Sequence, residues 1–353
     1  VSQFVVYDNQ SDDGSSQFLM RLEDAGLLRR IFWPRLPRGW SPQAAAYNHY
    51  IENFAGETDF VGFLDIDEFV APRQHETIPQ MLARLPASVG GLFLYWKNFG
   101  SSGHEDYDSQ PVISRFRRCA AGKAGINREG KSFLRARDVV RAGIHYSELV
   151  RGQYQIDTEM IEGCVNPVVS EREPSHRLAQ INHYIIKSKQ EYTEKLSRGS
   201  AGRHSRSPLR ALDAFDKFDQ NDEVDHTADR WQADVLEELA TVKSLLSGEP
   251  EGEIELVETY WNAVYGKVRS DRPVDIRLLI NNRFEFFRPC RGPMNDGYRY
   301  FRFDLYQRPL NPGDEACFQL RGGGPVTWLK VDSPLKPDRP RRPPPGSANY
   351  QAD

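Results

Sequence analysis

Short apolar runs alternate, through the first half of the chain, with stretches whose apolar positions recur at helical spacing. VSQFVVYD predicts a strand that ends in the turn-forming residues NQSDDGSS. A helix follows, with Phe18, Leu19, Leu22 and Leu27 at helical spacing and Gly26 near its end. IFWP predicts a second short strand. Pro42 to Phe54 predicts a helix entered through Ser41, an N-cap residue type, with Pro42 at its first position. DFVGFLDID then predicts a buried strand with acids at its C-terminal end, HETIPQMLARL a helix and GGLFLYWKNFG another strand. Such alternation predicts an α/β layer with a mostly parallel sheet flanked by helices. In such sheets ligands bind beyond the carboxyl ends of the strands. The acidic clusters Asp8 to Asp13 and Asp65 to Glu68 both fall at such ends.

Residues 111–185 predict shorter strands and loops, and 188–198 and 229–247 predict helices. Beyond residue 250 the pattern changes to β-like runs, DIRLLINNRFEFFRP, YRYFRFDLYQRPLNPGD and EACFQLRGG. The expected organisation is a large α/β domain over 1–248, a small β-rich domain over 265–332 and a proline-rich, disordered tail over 333–353.

Composition narrows the function classes. With 353 residues, 39% hydrophobic and 11% aromatic, the chain can bury a large core and a smaller one. A net charge of −4 argues against a general nucleic-acid binder. Cys119, Cys164, Cys290 and Cys317 are scattered with no C-x-x-C pair, which disfavours a zinc knuckle. They suit a reducing compartment and leave room for one disulfide. With no apolar run of membrane-spanning length and no signal-peptide pattern, the expected location is cytoplasmic, with any membrane attachment peripheral, at the inner face. The chain begins at Val1, within an expected strand, which suggests that the natural N-terminus is missing.

FLDIDEFV, residues 63–70, poses the chemical question. Three carboxylates crowd behind apolar residues, and burying one unpaired is costly. Lysine, arginine or a metal ion must compensate them. In an extended segment a D-x-D places both carboxylates on one side. That arrangement suits Mg2+ or Mn2+, which draw further oxygen ligands from a diphosphate. The bland reading is an acidic loop paired with basic side chains. A haloacid-dehalogenase phosphatase also uses a strand and D-x-D, but it wants Thr or Val where Phe69 stands. A nucleotidyltransferase would show a glycine-rich G-x-G-x-R loop, and none is present. GKS at 130–132 lacks the strand–helix frame of a P-loop.

Four motifs in order carry a resemblance: YDNQSDDGS, FLDIDEFVAP, WKNFGSSGH and INHYIIKSKQEYTEKLSRG. Together they resemble the family-92-type glycosyltransferases and their bacterial relatives, which are related to family 2 and have a GT-A fold. The likeness spans residues 1–200 and leaves out the C-terminal β domain. It implies an inverting, Mn2+- or Mg2+-dependent transfer from a nucleotide-sugar donor, expected to be a UDP-sugar. The acceptor would be a glycan, glycolipid or other glycoconjugate of the kind met in cell-surface polysaccharide assembly. Asp65 and Asp67 match the D-x-D, with Asp67 the direct metal ligand and Asp65 nearer the ribose. Asp8, with Asn9, Ser11 and Asp13, matches the turn that holds the nucleoside, although these residue types also make ordinary turns. His183 matches a further metal ligand and His145 is second to it, against the alternative of hydrogen-bonded core histidines. Lys187, Lys195 and Arg198 are expected at the diphosphate, or else on a solvated helix with a Glu191–Lys195 pair. His104, Glu105 and Asp106 are candidates for the general base, or belong to a mobile polar loop. Lys131 and Ser132 match a family K-S, and Gln43, Tyr47 and Asn48 are candidate donor-pocket residues. One departure stands out: the family's strand and helix before YDNxSxD, with an N-E-x-x-x-x-x-E-W segment, are absent, so the GT-A domain is expected to be incomplete. The alternative reading is a catalytically inactive GT-A-like protein that binds glycan through β-domain aromatics such as Phe284, Phe286, Phe287, Tyr298, Tyr300 and Phe301, although a β-core role is the simpler reading for most of them.

Overall fold

The computed structural model describes residues 1–11, 13–34, 40–73, 77–150, 154–159, 173–198, 213–248, 252–260, 262–290 and 296–335. Two compact units emerge. One contains residue 1 and Leu36–Ala240, the other Ser2–Arg35 and Thr241–Asp353. The architecture is mixed α/β, with additional β-rich sheets towards the C-terminus. The tail KPDRPRRPPPGSANYQAD, expected to be disordered, lies outside the described residues.

The first unit is built on a six-stranded sheet. Its order is Phe60–Gly62, Gly130–Arg135, Val89–Asn98, Ala179–His183 and Glu68–Pro72, and Tyr154–Ile156 also pairs with Val89–Asn98. Expectation and structure differ here. Only the pairings of Val89–Asn98 with Ala179–His183 and with Tyr154–Ile156 are parallel, and the others are antiparallel. Apolar periodicity specifies strands but not their partners, so alternation overstated the parallel content.

Val89–Asn98 is covered on both faces, as its near-continuous apolar sequence demands. Its Leu92 and Leu94 pack with Met81, Leu82, Ile156 and Ile181. A second cluster joins Phe99, Phe116 and Tyr184. Gly130 sits where this strand crosses its neighbour, and a Cβ there would lie 2.0 Å from the Leu94 carbonyl oxygen. Gly130→Ala is therefore expected to destabilise by about 1–3 kcal/mol, since backbone cannot yield as a side chain does. Urea denaturation checks it; an unchanged midpoint would contradict the close approach.

The helix Pro42–Phe54 starts as read from sequence, with Ser41 accepting from the Ala44 N–H and Pro42 at its first position. Its Tyr47 packs with Leu134, Val139 and Ala142 and stacks on Phe63 at 4.2 Å. Ile78–Ala83 is a shorter helix than expected, opened by a Thr77/Gln80 capping box.

In the second unit, Val5–Asp8 and Arg29–Phe32 form a parallel pair joined through the helix Ser15–Asp24. Glu253–Tyr260, Ala263–Arg269 and Arg299–Asp304 make a three-stranded sheet. Phe284–Cys290, Val274–Ile280, Glu315–Leu320 and Gly323–Lys330 make a four-stranded one. Residues of both sheets share one core, including Val264, Val268, Ile276, Leu278, Phe301, Phe303 and Phe318. Phe301 is thus a core residue, and Phe286 packs against that core. Cys119, Cys290 and Cys317 are free thiols, and Cys164 lies outside the described residues.

Candidate active site

FLDIDEFV does not form one continuous strand. The strand Phe60–Gly62 ends before it, and the next begins at Glu68. Between them the chain turns: the Glu68 N–H donates to the Asp65 carbonyl at 3.0 Å, and the Asp65 N–H donates to Glu68 Oε2 at 3.1 Å. Ile66 at the apex is 98% exposed. Asp65 and Asp67 therefore do not share one side of an extended segment, and each has its own cation. Lys131 Nζ lies 3.3 Å from Asp65 Oδ2 and 3.9 Å from Glu68 Oε1. Lys195 Nζ donates to Asp67 Oδ2 at 2.9 Å. The compensating charges within this structure are thus two lysines, both among the family-matched positions.

The surroundings fix these groups. Gln43 Nε2 donates to Asp65 Oδ1 and to the Tyr47 hydroxyl. Asn48 does other work, clasping Ala142 through both of its backbone polar groups. Glu68 is buried and accepts from Trp96 Nε1 at 3.0 Å. Burial, then the neighbouring Asp65, push its carboxyl up to about 7, against the opposing pull of Lys131. Asp67 is held below the usual carboxylate range: burial works the other way, but Lys195 and His183 outweigh it.

His183 arrives opposite Glu68 through the antiparallel register His183↔Glu68. It is buried against the Trp96 ring at 4.3 Å, and its Nε2 is 4.0 Å from Asp67 Oδ1. Burial pushes the imidazole down to about 4, despite Asp67, so it is neutral at physiological pH. Its Nδ1 is buried without a hydrogen-bond partner. His145 also meets the Trp96 ring, edge-on at 5.4 Å, with Nδ1 3.3 Å from the Gly130 carbonyl.

A neutral imidazole whose Nε2 lies 4.0 Å from an ionised carboxylate makes a donor pair that fits a divalent cation. Among the described residues no cluster of three or more His, Cys, Asp and Glu could hold one. A metal here would rely on Asp67 and His183, with Asp65 engaged by Gln43 and Lys131. Two side chains suffice where diphosphate oxygens complete the shell.

The helix Lys189–Arg198 delivers Lys195. Ser188 and Glu191 cap it reciprocally, and Glu191 also binds Arg115 at 2.8 Å. The expected Glu191–Lys195 pair does not form, because each residue has a different partner. Lys187 precedes the helix in the left-handed region, at φ 59°. The side chain of Arg198 lies outside the described residues.

WKNFGSSGH leads into a laced loop. The Ser101 and Ser102 N–H groups donate to Asp219 and Asn221. At Gly100 a Cβ would lie 2.7 Å from the Gln220 carbonyl oxygen, which explains the small residue. His104 Nε2 is 3.1 Å from the Arg115 carbonyl. Glu105 and Asp106 are exposed, and Glu105 lies 3.5 Å from Lys189. The Lys189 and Gln190 N–H groups bond the carbonyls of His104 and Glu105, tying this loop to the start of the Lys195 helix.

The N-terminal acids fall in the second unit. Asp8 ends its strand and is buried. Its carboxylate accepts from Ser16 Oγ at 2.5 Å, the Ser11 N–H at 3.1 Å and Arg30 Nε at 2.8 Å. Asn9 donates to the Trp33 and Pro34 carbonyls, and Asp13 accepts from the Ser15 N–H. In this structure Asp8 is thus the first member of a buried charge chain, Asp8–Arg30–Glu285–Arg277.

Sequence reading did not single out Trp96, which touches Glu68, His183 and His145. Its only signal was its place in WKNFG, at the end of a strand.

Comparison with known proteins adds the family. Two solved structures match with low overall superposition: a Br derivative of BhCBM56 (18% identity, 24% of this chain and 89% of that one, TM-score 0.16), and a family 64 laminaripentaose-producing β-1,3-glucanase from Paenibacillus barengoltzii (12% identity, 23% and 19%, TM-score 0.15). A glycosyltransferase family 92 protein of Oryza sativa subsp. japonica is 29% identical over 119 residues, 33% of this chain. The chain thus spans only 20% of that relative's length. The model of glycosyltransferase family 92 matches residues 1–214, more than half of the sequence, and the chain belongs to that family.

Proposed function

We propose that the chain is a metal-dependent, inverting glycosyltransferase of GT-A type that moves a sugar from a nucleotide-sugar donor, a UDP-sugar, to a glycan or glycolipid acceptor. The observation that carries this reading is the convergence at the Asp65–Glu68 turn of an ionised Asp67, a neutral His183 and two lysines. Asp67 and His183 would hold Mn2+ or Mg2+, which neutralises charge on the departing diphosphate when bound. Lys195 adds positive charge at the same place, with Lys187 and Arg198 on the same segment. Asp65, oriented by Gln43 and Lys131, is assigned to the donor's ribose. His104 is tied to a carbonyl, so the base is assigned to Glu105 or Asp106, both exposed on the loop bonded to the Lys195 helix. That carboxylate takes the acceptor hydroxyl's proton as the oxygen attacks the anomeric carbon and the diphosphate leaves from the opposite face.

A transfer assay with a panel of UDP-sugars and Mn2+ tests the reading. Asp67→Asn is expected to lower turnover by about 100-fold or more, the effect of removing several kcal/mol of charge stabilisation. Undiminished transfer by that variant, or a product that NMR shows to retain the donor's anomeric configuration, would contradict it.

A further inference from the structure

Lys195 and a divalent cation would compete for one carboxylate. The ammonium donates to Asp67 Oδ2 at 2.9 Å and to the Ile185 carbonyl at 3.0 Å. Mg2+ sits about 2.0–2.1 Å from a carboxylate oxygen. Both cations on the one Asp67 carboxylate would repel at short range.

The two lysines of the turn differ in their freedom to respond. The Lys131 side chain is only 2% exposed and faces two carboxylates. The Lys195 side chain is 48% exposed, on a flexible four-carbon stem. Its helix does not depend on the Asp67 bond, because the Ser188–Glu191 cap and the Arg115–Glu191 pair anchor the first turn. Lys195 can therefore swing off Asp67 without unravelling the element that carries it.

We propose that Lys195 is an exchangeable counter-cation: it neutralises Asp67 until a divalent cation takes that carboxylate, and then moves onto the nucleotide's diphosphate. The proposal rests on the reading of Asp67 as the metal carboxylate and goes beyond it. Lys195 opposes metal binding when the metal comes alone and supports it when the metal comes with a nucleoside diphosphate, whose charge holds both cations.

The test is a Mn2+ titration followed by the electron paramagnetic resonance signal of free Mn2+, with and without UDP. It compares wild type, Lys195→Met, Lys195→Arg and Asp67→Asn. Lys195→Met is expected to bind Mn2+ alone about two- to fivefold more tightly, the scale of a half-exposed ion pair. The same variant is expected to bind UDP with Mn2+ about tenfold more weakly, having lost a charge-assisted contact. Lys195→Arg keeps the charge and is expected to follow wild type in Mn2+ binding. Unchanged or weaker Mn2+ binding by Lys195→Met, with Asp67→Asn binding none, would overturn the exchange alone. Wild-type Mn2+ affinity in Asp67→Asn would overturn both the exchange and the metal reading beneath it.

Discussion

Arg30→Met is expected to cost the second unit about 3–5 kcal/mol, the scale for breaking a buried ion pair by removing one partner. Arg30 holds Asp8 on one side and Glu285 on the other, and all three side chains are buried. Removing it leaves the buried Asp8 carboxylate with neutral donors alone, Ser16 Oγ and the Ser11 N–H, and Glu285 with Arg277 as its remaining cation. The loss should be legible in hydrogen exchange as well as in urea denaturation, because Arg30 links a strand of the N-terminal segment to one near the C-terminus. Amides of Val5–Asp8 and Arg29–Phe32 should lose protection first. The double variant Asp8→Asn/Arg30→Met should recover part of the loss, since one of the stranded charges is gone. Equal stability of wild type and Arg30→Met would mean that the network contributes nothing net.

The same network gives a pH dependence of definite sign. Burial alone would raise the Asp8 pKa, but hydrogen bonds from Ser16, Ser11 and Arg30 hold it below the usual carboxylate range. A depressed folded-state value means that the unfolded chain binds the proton more readily. The stabilisation is complete above the unfolded pKa and is lost as pH falls through the folded one. Asp8→Asn should therefore flatten the acid limb of a stability–pH curve and leave its neutral limb sloping as before.

Lys131→Met is the second large effect, expected to cost the first unit about 3 kcal/mol or more well above pH 7, where Glu68 must otherwise ionise without a cation, and less below pH 7, where it takes up a proton instead. The Glu68 side chain is fully buried, and among the described residues Lys131 is the cation within 4 Å of it. The Trp96 indole N–H and the Asp65 N–H would remain as its donors, dipoles in place of a charge. Above pH 7, Lys131→Met/Glu68→Gln should be less destabilised than Lys131→Met, because the carboxyl that would ionise without a cation is then removed. Urea denaturation of both variants checks this. A double variant that simply sums the two single losses would show that Lys131 and Glu68 are not coupled.

Much of this was legible locally. Ser41 and Pro42 announce a helix because capping chemistry is decided within one turn. The run GGLFLYWKNFG announces a strand because a strand covered on both faces needs unbroken apolar residues. FLDIDEFV announces a need for positive charge because carboxylates cannot be buried alone. It did not reveal which charge, since Lys131 is 66 residues from Asp65 and Lys195 is 128 from Asp67. Nor did spacing reveal that the D-x-D would bend into a turn, because that depends on Glu68 folding back onto the Asp65 N–H. Trp96 escaped notice for a similar reason: it matters through the parallel pairing that sets Ile181 opposite it and His183 two residues on. The grouping of Ser2–Arg35 with the C-terminal β-strands was equally hidden, because the Arg30–Glu285 bond joins residues 255 apart.

The claim at the centre of this account is that the turn at Asp65–Glu68 receives a nucleotide together with a metal. Calorimetric titration of UDP with and without Mn2+, on wild type and on Asp67→Ala, tests it most directly. Wild type is expected to bind UDP only when Mn2+ is present, and the variant is expected to bind none. Binding that is indifferent both to Mn2+ and to the loss of Asp67 would contradict it, and would reduce the acids of FLDIDEFV to the partners of Lys131 and Lys195.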